Sequence, residues 1–100
     1  MDEPRTRIRI DKWLWHARVT KTRSLAARLV ELGQVRINRR KVAKSSHDVG
    51  PGDIVTVAVH EQIRVLKVIG AGLRRGSASE AALLFEEIEA PQPSHAAPQN

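Results

Sequence analysis

Cysteine is absent from the 100-residue sequence, and so is tyrosine. Without thiols there are no disulfide staples, no zinc–thiolate sites and no cysteine nucleophile. Aromatic side chains are confined to Trp13, Trp15 and Phe85, too few for a surface that grips single strands by stacking bases on rings. Long apolar runs are missing as well. No stretch approaches the roughly 20 residues that span a bilayer, and the opening MDEPRTRIRIDKW has no apolar segment of signal-peptide length. The expectation is a cytoplasmic chain with no membrane partner. A glycine-rich phosphate loop is also lacking, since Gly70-Ala-Gly72 and Gly76 make only a weak glycine-containing connector. The histidines, His16, His47, His60 and His95, sit in separate segments without metal-ligand spacing. Ser24 has no His–Asp constellation in the sequence, and Glu86, Glu87 and Glu89 read as a solvated cluster. No catalytic residue, metal or cofactor is expected, and His16, beside Trp15 and Arg18, is expected at the surface or in contact with RNA rather than as a general base.

What the chain has in excess is positive charge, unevenly placed. The formal net charge is +6, yet between Arg5 and Lys44 thirteen Lys or Arg face only Asp11 and Glu31, a local balance of +11. From Ser77 onward there are four Glu and no Lys or Arg. Such asymmetry points to a polyanion on one face of a single domain.

Hydrophobic spacing gives the elements. A short helix is predicted over residues 11–19, with Asp11 as its cap and Trp13, Leu14 and Ala17 as its apolar stripe. Trp13 is expected in the core and Trp15 partly exposed. A second helix is predicted from the Thr22 cap to Gly33, whose freedom at positive φ suits a C-terminal stop. At 100° per residue its apolar arc is Leu25, Ala26, Leu29, Val30 and Leu32, with Arg23, Ser24, Ala27, Arg28 and Glu31 outside it. The period then changes to two, with Val35 and Ile37 alternating with Arg36 and Asn38. Asn38-Arg-Arg-Lys41 reads as a polar turn, and Gly50-Pro-Gly-Asp53 as another. Strands follow at about 54–59 and 63–69, joined by His60-Glu-Gln62. A last helix is predicted over 78–89, with Ser77 or Ser79 near its cap, and a disordered Pro/Ala-rich tail over 91–100. These elements make an α+β domain: two helices on a small antiparallel sheet, plus a peripheral C-terminal helix.

Binding chemistry concentrates where the second helix begins. Arg18, Lys21 and Arg23 surround a helix N-terminus, which already favours phosphate, and the Thr22 and Ser24 hydroxyls add donors. Arg36, Arg39, Arg40, Lys41 and Lys44 form a second group on the following hairpin. Recognition of folded RNA through shape and phosphates matches this inventory, and binding should weaken steeply with salt.

The ordered set Arg9-Ile-Asp11-Lys-Trp-Leu14, Lys21-Thr-Arg-Ser24, Ala27-Arg-Leu-Val30, Gly33-Gln-Val35, Ile37-Asn38 and Gly52-Asp53-Ile54 closely resembles the RNA-binding domain named for small-subunit ribosomal protein S-four, over roughly residues 9–59. Asp11-Lys-Trp-Leu-Trp15 and Ser79-Glu-Ala-Ala-Leu-Leu-Phe-Glu-Glu87 resemble its ribosome-associated heat-shock branch. The resemblance implies an alpha-L arrangement of two helices on a short sheet over residues 8–70, flanked by a flexible 1–7 and a connector and helix at 71–90. It implies a non-enzymatic protein that binds ribosomal RNA of the large subunit, with tRNA as a further partner, in rescue or recycling of subunits that carry a nascent chain; a monomer is expected. A general structured-RNA or regulatory nucleic-acid module is the alternative. Carried over by position, the RNA contacts are Arg9, Lys12, Arg18, Lys21, Thr22, Arg23, Ser24, Arg28, Arg36, Asn38, Arg39 and Lys41, while Asp11 orders the motif. Where the family usually has Asn-Gly in the hairpin, Asn38-Arg39 stands here, and the basic helical extension of the heat-shock relatives gives way to the Pro/Ala tail. The same domain is appended to several RNA-modifying enzymes, but the forty residues after position 59 are too few for their catalytic domains.

Overall fold

A computed structural model describes residues 7–93, with side chains described as far as Ile88. The chain opens with a two-residue strand, β1 (Ile8–Arg9), that runs straight into helix α1 (Ile10–His16). A bend then leads to α2 (Arg23–Glu31). Six strands and a short helix follow: β2 (Val35–Ile37), β3 (Arg40–Lys41), β4 (Asp48–Val49), β5 (Ile54–Val59), β6 (Gln62–Val68), α3 (Ala78–Ala81) with a 3₁₀ turn at Ala82–Leu84, and finally β7 (Phe85–Pro93). β1 pairs with β4 as a small ribbon, and the main antiparallel sheet has the order β3-β2-β5-β6-β7. The architecture is α+β, with both longer helices on one face of the sheet.

That face is set by period-two burial. Along β5, Val55, Val57 and Val59 are buried and Ile54, Thr56 and Ala58 are less so. The buried set joins Val35 and Ile37 of β2 and Leu66 and Val68 of β6 against Ile10, Trp13 and Leu14 of α1 and Ala26 and Val30 of α2. Trp13 is fully buried, donates from Nε1 to the Gly70 carbonyl (2.8 Å) and meets the Phe85 ring edge-on. Trp15 is half-buried, as its position beside the stripe implied.

Both helices stop the same way. In each, a residue with positive φ follows the last turn, and its own amide and the next bond back to carbonyls of that turn. After α1 this residue is Arg18 (φ 61°), with Arg18 N–H on Trp15 O and Val19 N–H on Leu14 O. After α2 it is Gly33 (φ 79°), with Gly33 N–H on Val30 O and Gln34 N–H on Leu29 O. This is the Schellman arrangement, which suits glycine and costs arginine a left-handed backbone. It ends α1 at His16, so the helix is shorter than the expected 11–19.

Other expectations change for identifiable reasons. Asp11 does not cap α1. The cap position is Arg9, and the free amides of Ile10 and Asp11 are taken by the carbonyls of His47 (2.7 Å) and Ser45 (3.3 Å). Thr22 does cap α2, accepting the Leu25 N–H at 3.1 Å. The arc predicted for α2 is too wide: Ala26 and Val30 are buried, but Leu25 and Leu32, at the two ends of the helix, are 47% and 60% exposed. The predicted helix over 78–89 exists only as α3 and the 3₁₀ turn. Ser77 caps it through a reciprocal box with Glu80, and from Phe85 the chain becomes β7, completing the sheet beside β6. The expected tail therefore begins inside a strand, since Pro91–Pro93 belong to β7. The rest of that tail and the expected flexible residues 1–6 lie outside the described residues.

Candidate nucleic-acid interface

With its amide satisfied by Ser45, the Asp11 carboxylate is left to organise cations. It is 3% exposed and holds Arg9 in a bidentate grip, Nε at 3.1 Å and Nη2 at 2.9 Å. Arg23, the first residue of α2, approaches the same carboxylate at 3.7 Å. One buried anion thus hydrogen-bonds the Arg9 guanidinium and draws that of Arg23, from a separate element, into ion-pair range. Both stay accessible, at 47% and 42% side-chain exposure, so each keeps N–H donors for a ligand. The fork geometry of arginine suits phosphate oxygens. Asp11 orders the motif, as its charge implied.

A chain of contacts extends this cluster to the hairpin. Arg9 pairs across the ribbon with Asp48. Arg7 grips the Asp48 carboxylate at 2.8 Å and reaches Asp53 at 3.5 Å. The Arg7 bond holds the Asp48 carboxyl below its ordinary pKa and raises that of the guanidinium. Asp53 in turn accepts from the Asn38 side chain (3.0 Å) and the Gly50 amide (2.9 Å), and Asn38 Oδ1 accepts the Ile54 N–H. Asn38 is therefore committed to the fold of the turn. Asn38 and Arg39 both have positive φ, 52° and 74°, the backbone of a type I′ turn. The turn presents Arg39, exposed, at its tip. Arg7 is a structural cation that the motif residues did not single out, and its signal was the alternation Arg5, Arg7, Arg9.

The remaining predicted contacts divide by face. Lys21, Ser24 and Arg28 are exposed along the start and outer side of α2, and Lys12 is half-buried on α1. The Thr22 hydroxyl is engaged as the helix cap. Arg36 alternates with buried Val35 and Ile37 and pairs in register with Lys41, so these two lie on the sheet face away from the helices. They are not brought beside Arg9 and Arg23. Arg18 projects from the bend after α1 and donates from Nε to the Gly76 carbonyl at 2.7 Å.

His16 is not at the surface. It is 2% exposed, its Nδ1 lies 3.2 Å from the Ala71 carbonyl, and the segment 70–76 covers it. Burial pushes its pKa below the ordinary value, the Ala71 bond opposes this, and Lys12 and Arg23 add to the lowering. Sequence reasoning had no view of a segment that returns from more than fifty positions away. Among the described residues no three His, Asp or Glu converge as metal ligands, and no helix is long and apolar enough to cross a membrane.

Fold and cluster together define a class: a small α+β module in which one buried carboxylate gathers arginines where its paired helices begin. The profile of the S4 domain matches residues 8–55, the span from β1 through the first residues of β5. The Heat shock protein 15 homolog of Haemophilus influenzae is 39% identical over 82 residues, 82% of this chain and 62% of that protein. Heat shock protein 15 of Escherichia coli is 40% identical over 86 residues, 86% of this chain and 64% of that protein. The RQC P-site tRNA stabilizing factor of Bacillus subtilis is 38% identical over 61 residues, 61% of this chain and 70% of that protein. Among solved structures, the trimeric Heat Shock Protein 15 of Vibrio cholerae superposes with a TM-score of 0.76 at 38% identity, covering 81% of each chain. The chain belongs to the S4 domain family, in the branch that holds heat shock protein 15, and it spans slightly under two thirds of the length of the two heat-shock relatives compared over their full sequences.

Proposed function

We propose that this chain is a non-enzymatic RNA-binding protein that associates with structured ribosomal RNA of the large subunit and serves rescue or recycling of subunits still carrying a nascent chain on tRNA. The observation that carries the reading is the Asp11 cluster, in which a buried carboxylate grips Arg9 at the start of α1 and attracts Arg23 at the start of α2, with both guanidiniums accessible. Lys21, Ser24 and Arg28 continue the donor surface along α2, and Arg39 adds a cation at the tied hairpin tip. Asn38 and Thr22 act as positioning groups. Arg36 and Lys41, on the opposite sheet face, serve a second strand or long-range attraction. The names of the relatives, a heat shock protein and a P-site tRNA stabilizing factor, support a ribosomal setting and, with it, a cytoplasmic location. The working unit on RNA is a monomer.

Sedimentation through a sucrose gradient with purified ribosomal subunits tests this. Co-migration with large subunits, at one copy per particle, is the expected result. Equal binding to arbitrary RNA hairpins, without preference for the subunit, would replace it with a general structured-RNA module. Three copies per particle would overturn the monomer and align the chain with its trimeric structural neighbour.

A further inference from the structure

The segment 70–76, which looks like a glycine connector in sequence, is clasped to the helical motif along its length. Trp13 Nε1 donates to Gly70 O, His16 Nδ1 bonds Ala71 O, and Arg18 Nε donates to Gly76 O. In the reverse direction Arg75 Nη2 reaches Thr20 O at 3.5 Å. Arg18 and Arg75 therefore form a reciprocal pair, each guanidinium taking a carbonyl next to, or two residues from, the other. Each arginine thus reaches across to the other's segment, although the two lie far apart in sequence. Among the described residues neither has a carboxylate partner; Arg74 alone of this group does, with Glu80 at 3.4 Å, and it is 70% exposed. The Arg75 Nε–H is buried with no acceptor. Carbonyl contacts orient a guanidinium without neutralising it. Two unneutralised guanidiniums, each anchored on a carbonyl of the other's segment, leave terminal N–H donors that suit an anion with several acceptor oxygens.

We infer that Arg18 and Arg75, with Lys21 of the same bend, form a second phosphate-binding site that takes a phosphodiester of the bound RNA. The inference rests on the RNA-binding reading above and extends it beyond the matched S4 region, which ends at residue 55. The Asp11 cluster sits at the N-terminal end of α1 and the Arg18–Arg75 pair just past its C-terminal end. A seven-residue helix rises about 10 Å, so the two sites bracket α1 and set two separate phosphates in register with it. The clasp gives the segment 70–76 a role in the interface: it delivers Arg75 and, through Gly76, aims Arg18.

Two measurements on the full chain test this. In the first, RNA affinity is measured against salt for the wild type, Arg75→Gln and Arg75→Lys. The glutamine variant should lower the magnitude of the log–log salt slope by roughly 1, while lysine, which keeps the charge, should retain it. A folded Arg75→Gln protein with the wild-type slope overturns the proposal and leaves the Asp11 cluster as the site. In the second, which needs no variant, the Arg Nε–H resonances of the wild type are followed during titration with inorganic phosphate. Saturable shifts of the Arg18 and Arg75 signals support the anion site even if RNA binding itself fails. Shifts spread evenly over all arginines, or none, overturn it.

Discussion

Asp11→Asn separates two views of the interface, because it raises net charge while loosening the geometry. In the native protein the carboxylate accepts both Nε and Nη2 of Arg9 and faces Arg23 at 3.7 Å. The asparagine amide offers one acceptor and turns an NH₂ group toward guanidinium donors, so at least one bond is lost and a donor–donor clash replaces it. A hydrogen bond to a charged group contributes about 1.5–3 kcal/mol. Here both arginines remain nearly half exposed and are resolvated when released, so a stability loss near the lower end, about 1.5 kcal/mol, is expected. The effect on RNA is larger relative to the perturbation. Re-ordering a long side chain on binding costs about 0.5–1.5 kcal/mol, and two are freed, so affinity should fall by about tenfold or more. If charge count alone governed binding, removal of a carboxylate would tighten it. Urea denaturation reads the first quantity and fluorescence anisotropy with labelled ribosomal RNA the second. A folded Asp11→Asn protein that binds as tightly as the wild type, or more tightly, would refute the positioning role.

Further expectations concern the core, the buried histidine and the hairpin. Trp13→Phe removes the Nε1–H bond to Gly70 O and leaves that carbonyl short of a donor, which should cost about 2–3 kcal/mol by urea denaturation and loosen the segment 70–76 to hydrogen exchange. His16 has its pKa lowered in the folded state, so the unfolded chain takes up the proton first. Its neutral form therefore supports full stability above the unfolded value of about 6.5, and stability declines as pH falls below it, with a slope no steeper than about 1.4 kcal/mol per pH unit; His16→Gln should abolish that part of the pH dependence. Arg39→Gly relieves a left-handed arginine (φ 74°) and should raise stability by up to about 1 kcal/mol while weakening RNA binding in the same sample.

Local chemistry in the sequence led directly to several of these features. The Thr22 cap, the Gly33 stop, the alternation that buries Val35, Val55 and Val57, and the interior place of Trp13 all follow from neighbours within a few residues. The misjudged features depend on distant partners. Asp11 reads as a cap until residues 45–47 take its amide and that of Ile10, and His16 reads as a surface residue until segment 70–76 covers it. The stretch from Phe85 to Glu89 has leucines before it and glutamates within it, which favour helix locally. The open edge of β6 overrides that preference by pairing with Phe85, Glu86 and Glu87. The thirteen cations of the first half signalled a polyanion, but their charges alone did not show that Arg36 and Lys41 face away from Arg9 and Arg23. Only the register of β2 reveals that split.

Phosphate binding by the α2 surface underlies every functional statement made of this protein. Its most direct measurement compares the salt dependence of ribosomal RNA binding for the wild type and the Arg23→Ala, Arg28→Ala double variant. With both arginines in contact, the double variant should stay folded, bind more weakly and lose roughly 2 from the magnitude of the log–log slope. An unchanged affinity and slope in the folded double variant would remove α2 from the interface and the account with it.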